Sequence, residues 1–240
     1  MSGEVLILDD GSGGAPAAAS LGEMLAGVLG ATPVTVRGEV DHQGVRLIVV
    51  PSDDDGRRPH ASSVAGRLLH EAHVPVAVAP KGWPGQADGR LHVLGVAYDG
   101  SPESRVALGF ARELAERADA TVRVYTVAVP ARAVSVGAMA GPLPQEEDAR
   151  EILSRHLEEA VADLPPSLRA LPVLLDGDAA KEIAGAAEAG VDLLVTGSRG
   201  YGRLGRVLLG SVSSALIDTA PCPVIAIPRP AADPATDTGG

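Results

Sequence analysis

The sequence predicts an α/β fold of two open parallel sheets with helices on both faces, the first sheet belonging to a truncated copy of the second. Three observations carry that prediction. Short β-branched apolar runs alternate with longer amphipathic segments, the pattern of strand–helix–strand units. Aromatic residues make up 2% of the 240 residues while 45% are apolar, so the cores must be built from Ala, Val, Leu and Ile, as in buried parallel strands under Ala-rich helices. The chain also repeats itself. Asp10-Gly11-Ser12 returns as Asp99-Gly100-Ser101, and Ala31-Thr32 as Ala120-Thr121, both 89 residues later. Leu47-Ile48-Val49 matches Leu193-Leu194-Val195 at an offset of 146, and the run from Pro75 to Pro80 matches that from Pro223 to Pro228 at 148. The jump from 89 to 146 means that the first copy lacks about 57 residues in its middle, room for two helices and a strand.

The full copy reads element by element. His92 to Tyr98 is an apolar strand ending at Asp99-Gly100-Ser101-Pro102, where Ser101 is placed to cap a helix and Pro102 to begin it. That helix runs to about Asp119, with Val106, Leu108, Phe110, Ala111, Leu114, Ala115 and Ala118 at helical spacing. Thr121 to Val129 is β-branched and predicts a strand. From Pro130 to Pro144 the Ala, Gly, Pro and Ser content predicts a mobile loop, and Gln145 to Leu164 a surface helix stopped by Pro165-Pro166. Leu171 to Leu175 predicts a short strand, after which Asp178 caps a helix closing at Gly190. Val191 to Thr196 is a buried strand, a Gly-rich connection follows, and a helix from Ser211 to about Thr219 leads to a last strand, Val224 to Ile227. The expected organisation is a truncated, degenerate domain over 1–80, a linker over 81–90, a complete domain over 91–229 and a disordered tail over 230–240. Trp83, the one tryptophan, falls in the linker, where its fluorescence should report domain arrangement.

The formal net charge of −11 repels a nucleic-acid backbone over most of the surface, although a small anion can still be held in a locally basic loop. Met1 to Glu4 carries no basic region and the apolar run Val5 to Leu8 is too short for a signal peptide. No stretch approaches the roughly 18 apolar residues of a membrane span. Cys222 alone offers neither an internal disulfide nor a thiolate metal cluster. The expectation is a cytoplasmic protein without a membrane partner.

The chemistry concentrates in one stretch, Gly197-Ser-Arg-Gly200-Tyr-Gly-Arg-Leu-Gly-Arg-Val-Leu-Leu-Gly210-Ser211-Val212-Ser213, directly after a buried strand. Glycines at 197, 200 and 210 let backbone amides approach a phosphate without a Cβ in the way. Ser211 and Ser213 open a helix whose free N–H groups and positive dipole end favour an anion. Arg199, Arg203 and Arg206 make the segment locally cationic. Two readings are open from the loop alone, a polyphosphate cradle or a tight strand-to-helix turn. The Asp99 turn follows a strand C-terminus and so should lie at the same end of the sheet, where Asp99 can accept hydrogen bonds from a nucleoside; taken alone it is a helix-initiating turn residue.

From Val96-Ala97-Tyr98-Asp99-Gly100-Ser101, through Asp192-Leu-Leu-Val-Thr-Gly197-Ser-Arg-Gly200, to Pro221-Cys-Pro-Val-Ile-Ala-Ile-Pro228, the chain resembles the universal stress protein family, and a tandem member of it. The resemblance covers about 140 residues well and the first 80 in part. It implies Rossmann-like sheets and, through the family's G-x-x-G-x9-G-[S/T] signature met by Gly197, Gly200, Gly210 and Ser211, an ATP ligand with or without Mg2+. It further implies that Asp99 and Val127 contact the adenosine end, Gly197, Gly200 and Gly210 the ribose and phosphates, and Ser211, Val212 and Ser213 the phosphate tail. Thr196 departs from the bulky apolar residue the family often has there. Last strands of the family pair antiparallel between domains, so Val76 to Ala79 and Val224 to Ile227 should meet in an internal pseudo-dimer; a homodimer of tandem chains is implied by the resemblance alone.

Against the three glycines the first copy offers Pro51, Asp54 and, after a two-residue gap, Ser62, while Asp53, Asp54 and Asp55 put negative charge where phosphates would sit. One nucleotide site per chain is expected, with the first copy as scaffold. Three adjacent aspartates also suit a divalent cation, but they more often are simply solvated. The six histidines are scattered, and His70 with His73 lacks a third ligand, so no metal site is expected. There is no Walker loop with its Lys and no G-x-S-x-G elbow, and no general base or nucleophile stands out. The expectation is a nucleotide-responsive binding or signalling module in stress response. The rival readings are a slow ATPase or phosphotransferase using the same pocket, and an interaction protein whose pocket stays empty.

Overall fold

The computed structural model describes residues 3–38, 43–53, 56–59, 63–129, 146–198 and 209–228. The loop over 130–144, the tail over 230–240, and Gly200, Arg199, Arg203, Arg206, Asp54, Asp55 and Ser62 lie outside the described residues.

In the first part of the chain, β1 (Glu4–Leu8), α1 (Ala15–Leu29), β2 (Thr32–Val36), β3 (Val45–Pro51), α2 (Val64–Glu71) and β4 (Val76–Ala79) follow one another. The second part runs β5 (Val93–Ala97), α3 (Pro102–Ala118), β6 (Thr121–Ala128), α4 (Glu146–Ala162), β7 (Ala170–Asp176), α5 (Ala179–Ala187), β8 (Leu193–Gly197), α6 (Ser211–Thr219) and β9 (Val224–Ile227). Local chemistry sets the ends of these elements. Ser101 Oγ accepts the Ser104 amide at the start of α3, which has Pro102 in its first turn and ends on Asp119 in the left-handed region (φ 53°). Asp178 accepts the Lys181 amide in the same way at α5.

The two expected sheets are one. Nine strands lie in the order β2-β1-β3-β4-β9-β8-β5-β6-β7, and every neighbouring pair is parallel except β4 with β9. There Val76 faces Ala226, Ala77 faces Ile225 and Val78 faces Val224, so the last strands meet antiparallel as the resemblance implies. All six side chains are buried, which removes two apolar strand edges from solvent. The order β2-β1-β3-β4 reappears as β6-β5-β8-β9, with β7 added outside β6. What the second part spreads over α4, β7 and α5, the first replaces with residues 37–44, the two helices and a strand missing from its sequence.

Apolar residues cover both faces of the sheet. On one side Leu21 and Leu25 of α1, Leu114 of α3 and Leu157 of α4 pack on alternate strand residues such as Val5, Leu47, Val96 and Ile225. On the other, Leu68 and Leu69 of α2, Ile183 of α5, and Leu216 and Ile217 of α6 pack on Leu6, Ile48, Leu194 and Val224. The segment read as a linker is tied down: Trp83 packs on the first of these cores, and Gln86 Nε2 donates to Asp192 Oδ1 at 2.7 Å. Because β4 and β9 are antiparallel, the strand C-termini of the two parts point to opposite ends of the sheet. The second part's site is therefore remote from any counterpart in the first.

Candidate functional site

β5 lies between β8 and β6, and the chain leaves it towards β6 and returns on its other side at β8. A crevice forms beyond the carboxyl ends of parallel strands where connections diverge in this way. The cavity found there has a volume of about 560 Å3. Tyr98 and Asp99 after β5, Thr126, Val127 and Val129 around the end of β6, and Gly197 and Ser198 around the end of β8 supply its strand side. Leu153 of α4, Ala179 and Ile183 of α5, and Val212 and Ser213 of α6 supply the helical side, with Gly210 before them. The walls from β6, α4 and α5 are mainly apolar, whereas those from α3, β8 and α6 carry carboxyl and hydroxyl groups.

Asp99 sits at the rim, exposed, in the turn that starts α3. Its Oδ1 accepts the Ser101 amide at 3.0 Å, and its own amide donates to Ser104 Oγ at 3.4 Å. Partial burial, the largest single influence, pushes the Asp99 carboxyl up, but the hydrogen bonds from Ser101 and Ser104 together outweigh it and hold the group below its ordinary value. The carboxylate is thus ionised at neutral pH and free to accept further donors.

Gly197 ends β8 hard against the first turn of α3. A Cβ placed on it would lie 2.7 Å from the Glu103 carbonyl carbon and 2.8 Å from its oxygen. Its glycine is therefore required by packing whether or not a ligand approaches. The carbonyl of Gly197 accepts from Ser213 Oγ at 2.8 Å. Next to it, Ser198 donates both its amide (2.8 Å) and its hydroxyl (2.9 Å) to the Ile227 carbonyl, locking the end of β8 to β9.

Gly210 caps α6 with an extended backbone (φ −64°, ψ 159°), and the Ser214 amide returns to its carbonyl at 2.9 Å. The amides of Ser211, Val212 and Ser213 have no acceptor within the helix, being its first three, and they carry the positive end of its dipole. Val212 and Ser213 line the cavity; Ser211 is exposed beside it and does not.

Of the residues singled out in the sequence, Asp99, Val127, Gly197, Gly210, Val212 and Ser213 are brought together around one cavity. Thr196, noted as a departure, also lines it. Sequence reasoning missed Tyr98, Thr126, Leu153, Ala179, Ile183 and Ser198. Ser198 had a legible signal, a polar residue directly after an apolar strand, and Thr126 a weaker one, a polar residue near the carboxyl end of its strand. Leu153 and Ile183 had none, since they read as ordinary apolar positions of amphipathic helices. Among the described residues no helix is long and apolar enough to cross a membrane.

Comparison with known proteins shows the family of the chain. The model of the universal stress protein family matches residues 91–228. A universal stress protein of Mycobacterium tuberculosis is 30% identical over 197 residues, which are 79% of this chain and 66% of that protein. This chain therefore spans less than two thirds of the length of the mycobacterial relatives it matches. A universal stress protein of Thermus aquaticus is 35% identical over 142 residues, 55% of this chain and 95% of its own. Among solved structures, the crystal structure of a universal stress protein from Archaeoglobus fulgidus superposes with a TM-score of 0.68 at 16% identity, covering 95% of this chain and 99% of that one, a likeness of fold. The chain belongs to the universal stress protein family.

Proposed function

We propose that the cavity at the carboxyl ends of β5, β6 and β8 is a nucleotide site, with ATP its ligand, and that the protein acts as a nucleotide-responsive module in stress response. The observation that carries this reading is the opening of a cavity of about 560 Å3 onto the first turn of α6. Amides with no acceptor inside the helix meet its dipole there, an arrangement suited to phosphate oxygens. The apolar wall of Val127, Val129, Leu153 and Ile183 suits a nucleobase, and the ionised Asp99 at the rim suits ribose hydroxyls. Gly200 belongs to the same motif by its spacing.

The first part of the chain is read as a scaffold, a truncated copy that lends β4 to the sheet. Its counterpart of the Asp99 turn is acidic, with Asp9 and Asp10 beside each other, and Asp9 is held by Arg37 at 2.6 Å. In these features nothing invites a polyphosphate.

Calorimetric titration of the purified chain with ATP tests the reading. Saturable binding at one site per chain is the expected result, and a flat titration at millimolar ATP would remove it. Phosphate release in the presence of Mg2+ distinguishes a binding module from a slow ATPase.

A further inference from the structure

Two residues of the cavity wall are polar in the second part of the chain and apolar at the matching places in the first. Thr196, in β8, and Ser213, in the first turn of α6, are 3% and 2% exposed, and their hydroxyls lie 3.2 Å apart. Ser213 Oγ donates to the Gly197 carbonyl at 2.8 Å, and Thr196 Oγ1 lies 3.4 Å from the same oxygen. The offset that matches β3 to β8 puts Val50 in the place of Thr196, and the one that matches β4 to β9 puts Ala65 in the place of Ser213. The strand registers agree, since Val50 faces Val78 as Thr196 faces Ala226. Val50 and Ala65 are both buried in the apolar core.

The two matching places are thus filled once by apolar side chains and once by a pair of hydroxyl-bearing ones. The apolar version shows that the core does not need the hydroxyls. Burying them costs dehydration that their own hydrogen bonds do little more than offset. They are present in the part of the chain whose cavity opens onto the first turn of α6, and they converge on one atom, the Gly197 carbonyl oxygen. That carbonyl stands at the start of the connection from β8 to α6, and Ser213 stands just beyond its end. The hydroxyl bond both ties the two ends of the connection together and covers a carbonyl dipole that would otherwise turn its negative end to an anion.

We propose that Thr196 and Ser213 are positioning residues for the phosphate end of the ligand, an inference that rests on the nucleotide reading of this same cavity. They hold the Gly197 oxygen against α6, so that phosphates meet the helix amides and not a bare carbonyl. The adenosine end of a ligand gains nothing from them.

The test is the double variant Thr196→Val with Ser213→Ala, which installs the pair found at Val50 and Ala65. Its thermal midpoint should stay near that of the wild type, while its affinity for ATP falls about tenfold, the effect of roughly one hydrogen bond. Its affinity for adenosine, measured by competition, should be unchanged. Thr196→Ser, which keeps a hydroxyl, should bind ATP as the wild type does. ATP affinity equal to the wild type in the double variant would overturn the inference and leave the nucleotide reading standing. Equal weakening for ATP and adenosine would overturn it too, by making the pair a general part of the wall. A wild-type protein that binds neither compound would remove the nucleotide reading and this inference together. Should the double variant fail to fold, Thr196→Val against Thr196→Ser gives the same comparison with one side chain changed, and equal ATP affinity in the two would overturn the inference.

Discussion

Gly14 yields to Pro51 at the start of α1: a Cβ on Gly14 would lie 2.9 Å from the Cβ of Pro51. The same contact recurs at the start of α3 with the roles exchanged, because Glu103 occupies the place of Gly14 and Gly197 the place of Pro51. A helix N-terminus and a strand C-terminus pass so closely that one of the two residues must lack a side chain. Each part of the chain meets the requirement from the opposite partner. The absence of a glycine at Pro51 is thus compensated structurally.

Gly197→Ala is expected to destabilise the fold by about 1–3 kcal/mol, because the new methyl meets backbone atoms of Glu103 that cannot rotate away. Gly14→Ala should cost a similar amount by the mirror contact. Urea denaturation followed by circular dichroism reads both, and midpoints equal to the wild type would show that the helix shifts without penalty.

Gly210→Val separates fold from binding. The backbone at Gly210 (φ −64°, ψ 159°) is open to any residue, so the stability loss should stay at about 0.5–1 kcal/mol, that of a poorer helix cap. ATP binding should be abolished by the side chain standing over the α6 amides. Unimpaired binding by this variant in calorimetry would make the glycine a turn residue only.

Asp99→Ala should weaken ATP binding by about 1–3 kcal/mol if the carboxylate takes charge-assisted hydrogen bonds. The direction of its pKa sets the pH window. Its folded value is lowered from 3.8, so its contribution to stability is fully present above that ordinary value and is lost as pH falls through the lower, folded one. The difference in stability between wild type and Asp99→Asn should therefore be flat through neutral pH and shrink only in acid. A difference that changes between pH 6 and 8 would mean the carboxylate titrates there.

Tyr125 is 1% exposed, and among the described residues its hydroxyl has no hydrogen-bond partner, a rare condition for a buried polar group. The nearby Arg123 guanidinium donates from Nη1 to the Ala189 carbonyl at 3.0 Å. Burial pushes the phenol pKa up, so it remains protonated. Tyr125→Phe should leave the thermal midpoint unchanged or raise it, by up to about 1 kcal/mol of stability. A clear loss would show that a bound water satisfies the hydroxyl.

Cys222 is buried, and its thiol is pushed up to about 12, first by burial and then by the charge of Asp192. At pH 8 a disulfide reagent should label the native protein no faster than the protein opens, and labelling should become prompt in denaturant. Prompt labelling without denaturant would place the thiol at the surface.

The sequence was most legible where pattern and punctuation coincide. The last helix and last strand fall at Ser211–Thr219 and Val224–Ile227, as expected from the glycine before one and the prolines around the other. The strand expected from Val191 starts later, at Leu193, because Asp192 turns its carboxylate to the amides of His92 and Val93 at the strand entrance. The short strand expected over Leu171 to Leu175 extends to Ala170–Asp176, since its length is set by seven register pairs with β6 and not by its own composition. In the site, residues with special backbone roles stood out, whereas Leu153 and Ile183 look like any core position until the helices are docked.

By itself the sequence determined the repeat, the strand and helix alternation, the missing middle of the first copy and the glycine spacing ahead of α6. These are local or periodic properties, written in neighbouring residues. Only the tertiary structure decided that Gly197 is held by Glu103, that Ser213 spends its hydroxyl on the Gly197 carbonyl, and that two half-sheets close into one at Val76 and Ala226. Each of those contacts joins residues far apart in the chain. A residue's partner across a sheet depends on register and burial, which arise only when the whole core packs.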